Sequence, residues 1–295
     1  MRTMVVGAAG MLGQAIVSAC ARRGHEVIGL GKAQLDITDG PALDRELRRS
    51  RPDAVINCAA FSDVDGAEDD ERAAMRVNDE GAGMLAASAA SVGASIVYPS
   101  SDYVFDGSKR TPYVESDLTA PISAYGRSKL AGETSVSVSN REHFIVRTSW
   151  LFGQGGKNFV ETMLRIGVEQ REVLVVSDQR GCPTATVDLA EAIAALAESE
   201  DYGIHHITGS GACTWFDFAQ EIFDQAGYET KVMSGTTEML ARKAPRPAYS
   251  VLGSERPNAP RLAAWQDSLR RYIADRELAG SSLPSSRLIG QDPRR

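Results

Sequence analysis

Short runs of β-branched and apolar residues alternate with longer stretches of helical period through the first 150 residues. The runs are TMVVG from Thr3, EVIGL from Glu26, DAVINCA from Asp53, ASIVYPSS from Ala94 and HFIVRTSW from His143. Their nearly continuous hydrophobicity is the form that burial on both faces of a parallel sheet demands. Between them, residues 11–23, 41–49, 68–92 and 124–138 repeat apolar side chains every three or four positions, which predicts helices. Strand and helix alternating in this way predict an α/β fold, a doubly wound parallel sheet with right-handed crossovers. Residues 1–155 are expected to form a Rossmann-type nucleotide domain.

Past Trp150 the alternation loosens. A helix is expected at 158–170, a strand at VLVVSD, a helix at 186–198 and a strand at GIHHIT. Residues 184–209 are expected to return to the first domain, while 156–183 and 210–277 form a smaller, interleaved substrate domain. Aromatic residues gather in TWFDFAQEIF, and KAPRPAYSVLGSERPNAPRL carries too much proline for a helix or a central strand, so it must be a wrapping loop. A last amphipathic helix is expected at 262–273, ahead of a disordered tail over 278–295. No internal repeat stands out.

Composition narrows the function. The chain has 295 residues, 43% of them hydrophobic and 24% charged, as in an ordinary globular protein. A formal net charge of −7 argues against a nucleic-acid partner, because phosphate binding of that kind rests on clustered Lys and Arg. No stretch approaches the length of a membrane helix and no secretory leader is evident, so the cytoplasm is the expected compartment. Cys20, Cys58, Cys182 and Cys213 are widely spaced, with neither a Cys-x-x-Cys pair nor a nearby His cluster, and read as reduced packing residues. His205 and His206 sit in a strand pattern without ligand spacing, and no metal site is expected from the residues themselves. The carboxylates from Glu68 to Glu71 read as the acidic first turn of a helix.

Gly7, Gly10 and Gly13 follow the first strand and open the first helix. The first allows a tight turn, the second close approach to a pyrophosphate and the third tight helix–strand packing, which leaves helix N-terminal amides facing phosphates. The second strand ends in GLGK, with Gly31 and Lys32 where a carboxylate would select NAD. Lys32 is a cation that could meet a 2′-phosphate, so NADPH is the expected cofactor, with NADH as the alternative. Asp36 comes too late for the ribose role and is expected to line the adenine pocket.

Tyr125 and Lys129 are four residues apart, hence on one face of a helix. An ammonium beside a phenol favours the phenolate, and a phenol so tuned can exchange a proton with a carbinol oxygen. Ser101 ends the fourth strand, at the edge that faces the ligand crevice in such sheets. Asn57, Ala59, Ala60 and Phe61 end the third strand, and Asn78 lies in the next helix.

Together, the Gly-x-x-Gly-x-x-Gly turn, Ser101 and the Tyr125–Lys129 pair resemble the extended short-chain dehydrogenase/reductase superfamily. RPDAVINCAAFSDVDGAE, SSDYVFDG, APISAYGRSKLAGE, RTSWLFG, GGKNFVETML, DQRGCPT and RPAYSVL are similar, in that order, to the dTDP-4-dehydrorhamnose reductase family, from about residue 2 to 276. The resemblance implies hydride transfer to C4 of a dTDP-4-keto-6-deoxysugar, with Tyr125 protonating the alkoxide, Lys129 tuning it and binding the nicotinamide ribose, and Ser101 orienting the keto oxygen. It further implies that Gly10, Met11 and Leu12 contact the cofactor phosphates, Asp36 and Ile37 the adenine end, and that Ala60, Phe61 and Ser62 line the cofactor. Asp102 and Trp150 would contact the sugar nucleotide, and Asn158 and Arg246 could hold its diphosphate. Family members often carry a divalent metal, so magnesium is allowed without a catalytic role; a homodimer is also allowed.

Three alternatives stay open: a dehydratase or epimerase on this fold, a non-catalytic NADP-binding subunit, and a 4-ketoreductase for another deoxysugar. Against dehydration, Tyr103 follows Asp102 where dehydratases of the superfamily place a glutamate. Against epimerisation, the NAD-holding acid of the second strand is missing. The GLGK strand end predicts a higher kcat/KM with NADPH than with NADH, and steady-state kinetics with both would check it; a clear NADH preference overturns the reading of Lys32.

Overall fold

The computed structural model describes residues 1–281. The first half runs β1 (Arg2–Val6), α1 (Met11–Arg22), β2 (Glu26–Leu30), α2 (Gly40–Ser50), β3 (Ala54–Asn57), α3 (Val64–Asp69), α4 (Glu71–Met75), α5 (Ala82–Ser91), β4 (Ser95–Ser101), α6 (Ala124–Ser139) and β5 (His143–Thr148). There follow β6 (Leu151–Phe152), α7 (Phe159–Glu169), β7 (Glu172–Val176), β8 (Arg180–Gly181), β9 (Thr184–Ala185), α8 (Thr186–Ala197) and β10 (Gly203–His206). The chain continues through β11 (Cys213–Thr214), α9 (Trp215–Ala226), β12 (Lys231–Gly235), α10 (Thr237–Leu240) and α11 (Trp265–Ser281).

Six parallel strands in the order β10-β5-β4-β3-β1-β2 form the central sheet. The order reverses between β1 and β3, so the crevice beyond their carboxyl ends is the place where this kind of sheet takes a ligand. Both faces are covered. On one, Ile16, Ala19 and Cys20 of α1 pack with Leu189 and Ile193 of α8 against Val5, Ile56 and Val97. On the other, Leu43 and Leu47 of α2, Leu85 and Ala89 of α5 and Val136 of α6 cover Met4, Val55 and Ile96. A separate core joins α7, α9 and α11 around Phe152, Phe218 and Trp265, beside the small parallel pair β7–β12.

The helix expected over 68–92 is broken. Asp70 leaves helical geometry and caps α4 by accepting from the Ala73 amide, and residues 76–81 form a π-turn before α5. Such a turn inserts one residue into a helix and commonly marks a functional site. Here it delivers Asn78, which is 1% exposed. The Asn78 side chain accepts from Phe61 N and donates to Phe61 O and Ser128 Oγ, while Tyr98 OH donates to its carbonyl. One amide thereby ties the loop after β3 to α6.

The carboxylate run is not the first turn of one helix either. Glu68 and Asp69 close α3, and only Glu71 opens α4. Glu68 accepts from the Ala124 amide and Glu71 takes both arms of Arg127, so the run receives the N-terminus of α6. The last helix starts three residues later than expected, where Ala264 bridges Ser210, and it extends to Ser281. Its Trp265, Leu269, Tyr272 and Ile273 are buried, and Arg276 pairs with Glu161 one turn beyond them, so the helix continues into the expected tail; the remainder of that tail, 282–295, lies outside the described residues. Among the described residues no helix is long and apolar enough to cross a membrane.

Beneath the crevice, Arg147 of β5 makes a bidentate pair with Glu133 of α6 at 2.9 and 2.7 Å, both side chains almost fully buried. Ser100 Oγ donates to the same carboxylate at 2.6 Å, and Arg147 also meets His206 and the face of Phe105. Removing one partner of such a pair strands a buried charge. Glu133→Gln is expected to lower unfolding stability by about 3–5 kcal/mol, read from urea melts; an unchanged midpoint would show that the pair is dispensable.

Candidate active site

The glycine turn is shaped by contact as well as by conformation. Gly7 has a φ of 76° and lies against the Cys58–Ala59 backbone, while a Cβ on Gly13 would stand 2.3 Å from Gly7 O. These approaches seat the start of α1 on the ends of β1 and β3. Gly10 caps α1 with no side-chain hydrogen bond, so the amides of its first turn stay available, and a Cβ on Gly10 would meet nothing closer than 3.4 Å. That is an open, amide-lined cradle for a phosphate. Met11 and Leu12 are half-buried beside it, and Ala60 and Ser62 are exposed on the loop after β3, with Phe61 between them.

At the end of β2, Lys32 is exposed and near enough to Asp36 to help hold its carboxyl below the usual carboxylate range; the larger cause is the pair of bonds from Thr38 N and Oγ1. Ile37 is buried against Gly81. Among the described residues, three buried polar atoms lack hydrogen-bond partners at the carboxyl ends of adjacent strands: Asn57 Nδ2, Asp102 Oδ2 and Thr148 Oγ1. An apolar interior would not tolerate such orphans without a polar group to meet them. Cradle, exposed lysine and orphaned polar edge fit a phosphorylated dinucleotide with a polar substrate next to it.

Ser101 ends β4 and its hydroxyl caps the short turn at Asp102–Val104, accepting from Tyr103 N at 3.1 Å while bonding Asp102 Oδ1 at 3.0 Å. Tyr125, in the first turn of α6, lies edge-on to Tyr103 with ring centroids 5.9 Å apart. Ser123 caps α6 at Gly126 N, which fixes the helix start against this turn. Buried Ser101 and Asp102 and half-buried Tyr103 and Tyr125 therefore share one corner.

The tuning of Tyr125 departs from the sequence expectation. Burial, aided by the Asp102 carboxyl, pushes the phenol up to about 12, with only the nearby Ser101 hydroxyl opposing the rise. Lys129 does not act on it: Nζ donates to Pro99 O at 2.8 Å and stands 4.0 Å over the Tyr98 ring. Burial pushes Lys129 itself down to about 7, with Glu133 holding it up in part. Spacing places two side chains on one helix face, but a four-carbon stem lets the ammonium turn toward the strand. The phenol therefore stays protonated, the state a proton donor requires.

Beyond this corner opens a cavity of about 470 Å³ lined by Tyr103, Phe159, Gln179, Trp215, Arg242 and Arg246. Arg246 pairs with Asp65 of α3 at 2.9 and 3.1 Å, and Asp65 also binds Arg242 and the Ala244 amide, which holds the loop after α10 across the cavity. Asp65 is driven down to about 2, chiefly by the Arg246 bond. Trp150 is not the end of a strand: β5 stops at Thr148, and Trp150 takes a φ of 48°. It stacks on Trp215 at 3.6 Å and 6°, so Trp215 rather than Trp150 faces the cavity. Asn158 caps α7 at Glu161 N and donates to Gly153 O, near Met11, and does not itself line this cavity.

Sequence reasoning missed Tyr103, Gln179, Trp215, Arg242 and Asp65 as neighbours of this site. The only signal for Trp215 was the aromatic run at the head of α9, whose capping box at Thr214 and Asp217 fixes the tryptophan in the first turn. Among the described residues no group of three or more His, Cys, Asp or Glu could hold a metal ion. The four cysteines are free thiols, three of them buried.

A doubly wound sheet, an amide cradle at its switch point and a Ser–Tyr–Lys set at the neighbouring strand edge define a dinucleotide-dependent protein of the extended short-chain dehydrogenase/reductase fold. The chain belongs to the family described as RmlD substrate binding domain, whose model matches residues 1–278. It is 45% identical over 262 residues to a dTDP-4-dehydrorhamnose reductase of Streptomyces griseus, covering 86% of each chain. It is 42% identical over 281 residues to a probable dTDP-4,6-dihydroxy-2-methyloxan-3-one 4-ketoreductase of Streptomyces antibioticus, covering 93% of this chain and 95% of that one. The structure resembles that of a dTDP-4-dehydrorhamnose reductase of Bacillus anthracis solved in complex with NADP, with a TM-score of 0.91, 37% identity, and coverage of 93% and 99%.

Gly13→Ala tests the cradle. Overpacking against Gly7 O is expected to cost about 1–3 kcal/mol and to weaken NADP⁺ binding, followed by thermal unfolding and by titration; a variant normal in both would show that the close approach is not needed.

Proposed function

We propose that the chain reduces the C4 keto group of dTDP-4-dehydro-L-rhamnose to the alcohol, giving dTDP-L-rhamnose, with NADPH as reductant. The observation that carries this reading is the corner at the end of β4 in which buried Ser101 and a protonated, half-buried Tyr125 meet. Its placement in the matched family supports the substrate class. NADPH, when bound, supplies the hydride. Gly7, Gly10, Gly13 and the first amides of α1 hold its pyrophosphate, and Lys32 meets its 2′-phosphate. Met11, Leu12, Asp36, Ile37, Ala60, Phe61 and Ser62 border it, and Lys129 binds the nicotinamide ribose.

The chain's own residues then perform the acid step. Ser101 Oγ holds the keto oxygen beside Tyr125, and the phenol gives its hydrogen to that oxygen as charge develops on it. Reduction consumes a proton, so a donor that burial keeps protonated suits this direction. In the adjoining cavity, Trp215, backed by Trp150, offers a flat apolar face for a nucleobase, and Arg242 and Arg246 offer cations for a diphosphate. Asn158 supports the loop next to Met11 rather than this cavity.

A second reading, 4-keto reduction of another dTDP-deoxysugar, is favoured by the similarity to the Streptomyces antibioticus ketoreductase. Incubation with NADPH and dTDP-4-dehydro-L-rhamnose, with loss of nicotinamide absorbance and NMR of the product, separates the two. Tyr125→Phe is expected to lower turnover by ~10² or more while leaving NADPH affinity nearly intact; a fully active phenylalanine variant overturns the role of Tyr125.

A further inference from the structure

We propose that Asp102 is the proton reservoir of this site: held as a neutral carboxylic acid, it restores through Ser101 the proton that Tyr125 gives away. The inference rests on the reading of Tyr125 as proton donor.

Asp102 is the residue immediately after β4 and is 2% exposed. Its Oδ1 lies 3.0 Å from Ser101 Oγ, and its Oδ2 has no hydrogen-bond partner among the described residues. No guanidinium or ammonium of the described residues pairs with either oxygen. A buried carboxylate needs a cation or several N–H donors, whereas the acid form carries no charge and can donate to the serine oxygen. The titratable groups facing it are Tyr103 on its own turn, Tyr125 on α6 and Cys182 between β8 and β9. Burial raises all three, so all are neutral and none offers positive charge. The hydroxyls of Ser101 and Ser250 and the backbone amides of Asp102 and Tyr103 oppose the effect of burial only partly, and the carboxyl is pushed up to about 7.

The protons balance as follows. When the new C4 alkoxide takes the phenolic hydrogen, the Tyr125 O–H bond breaks and a tyrosinate remains. The Ser101 hydroxyl passes its hydrogen to that oxygen and receives one from Asp102, whose O–H bond breaks in turn. The resulting carboxylate recovers a proton from solvent water once the product has left. Each reduced carbonyl thus draws one proton from solvent, and the relay itself moves no electrons. Lys129 is turned away from this path, toward Pro99 O.

The test has two parts. Difference infrared spectra of wild type against Asp102→Asn should show the carbonyl stretch of a protonated carboxyl, present on the acid side of about pH 7, lost on the alkaline side and absent from the variant. In stopped-flow, steady-state turnover of Asp102→Asn should fall ~10-fold or more beyond any change in its first-turnover rate, because only later turnovers need the reservoir. The wild-type decline in kcat as pH rises through about 7 should vanish in the variant. A carboxyl already ionised on the acid side, or first and later turnovers slowed alike, overturns the proposal. An active Tyr125→Phe with the infrared band intact would instead remove the reading of Tyr125 and leave the protonated Asp102 standing.

Discussion

Burial without countercharge governs the carboxyl edge of the central sheet. Where β4 ends, Ser101, Asp102, Tyr103 and Tyr125 are packed together, with no cation of the described residues at hydrogen-bonding distance from the Asp102 carboxyl. Desolvation disfavours every charged form in such a place, whatever its sign. The phenol and the carboxyl are held toward their protonated states and the lysine toward its neutral one. An environment of that kind suits a reaction that ends by placing a proton on oxygen.

The rest of the architecture holds this corner in place. Asn78 on its π-turn fastens the loop after β3 to Ser128 of α6, while Glu68 and Glu71 grip the first turns of that helix. Below, Glu133 and Arg147 join α6 to β5 and, through Ser100, to the end of β4. Tyr125, Lys129 and Glu133 follow one another at intervals of four, so a single helix face carries the proposed acid, its neighbour and the anchor. The polar contacts are concentrated where α6 meets the strand ends, which is where displacement would most disturb proton transfer.

On the cavity side the order is reversed, with charge plentiful and paired. Asp65 gathers Arg242, Arg246 and the Ala244 amide, drawing a proline-rich loop over the cavity. A stacked pair of tryptophans forms one wall.

The strands and helices of the first half were legible because each obeys a local rule: apolar runs for buried parallel strands, 3.6-residue periods for helices, glycines for a turn. Gly10 and Gly13 announced a tight strand-to-helix turn for the same reason, since contacts within that turn dictate them, whereas Gly7 also answers to the distant Cys58–Ala59 backbone. Where the Lys129 ammonium points, which tryptophan faces the cavity, that Asn158 caps a helix and that Asp102 lacks a cation were all decided by tertiary packing. A side chain's charge and direction depend on what other segments bring within a few ångströms of it. The sequence determined the local conformations and the inventory of chemical groups; the folded structure decided their solvation, because burial is a property of neighbours that lie far apart in the chain.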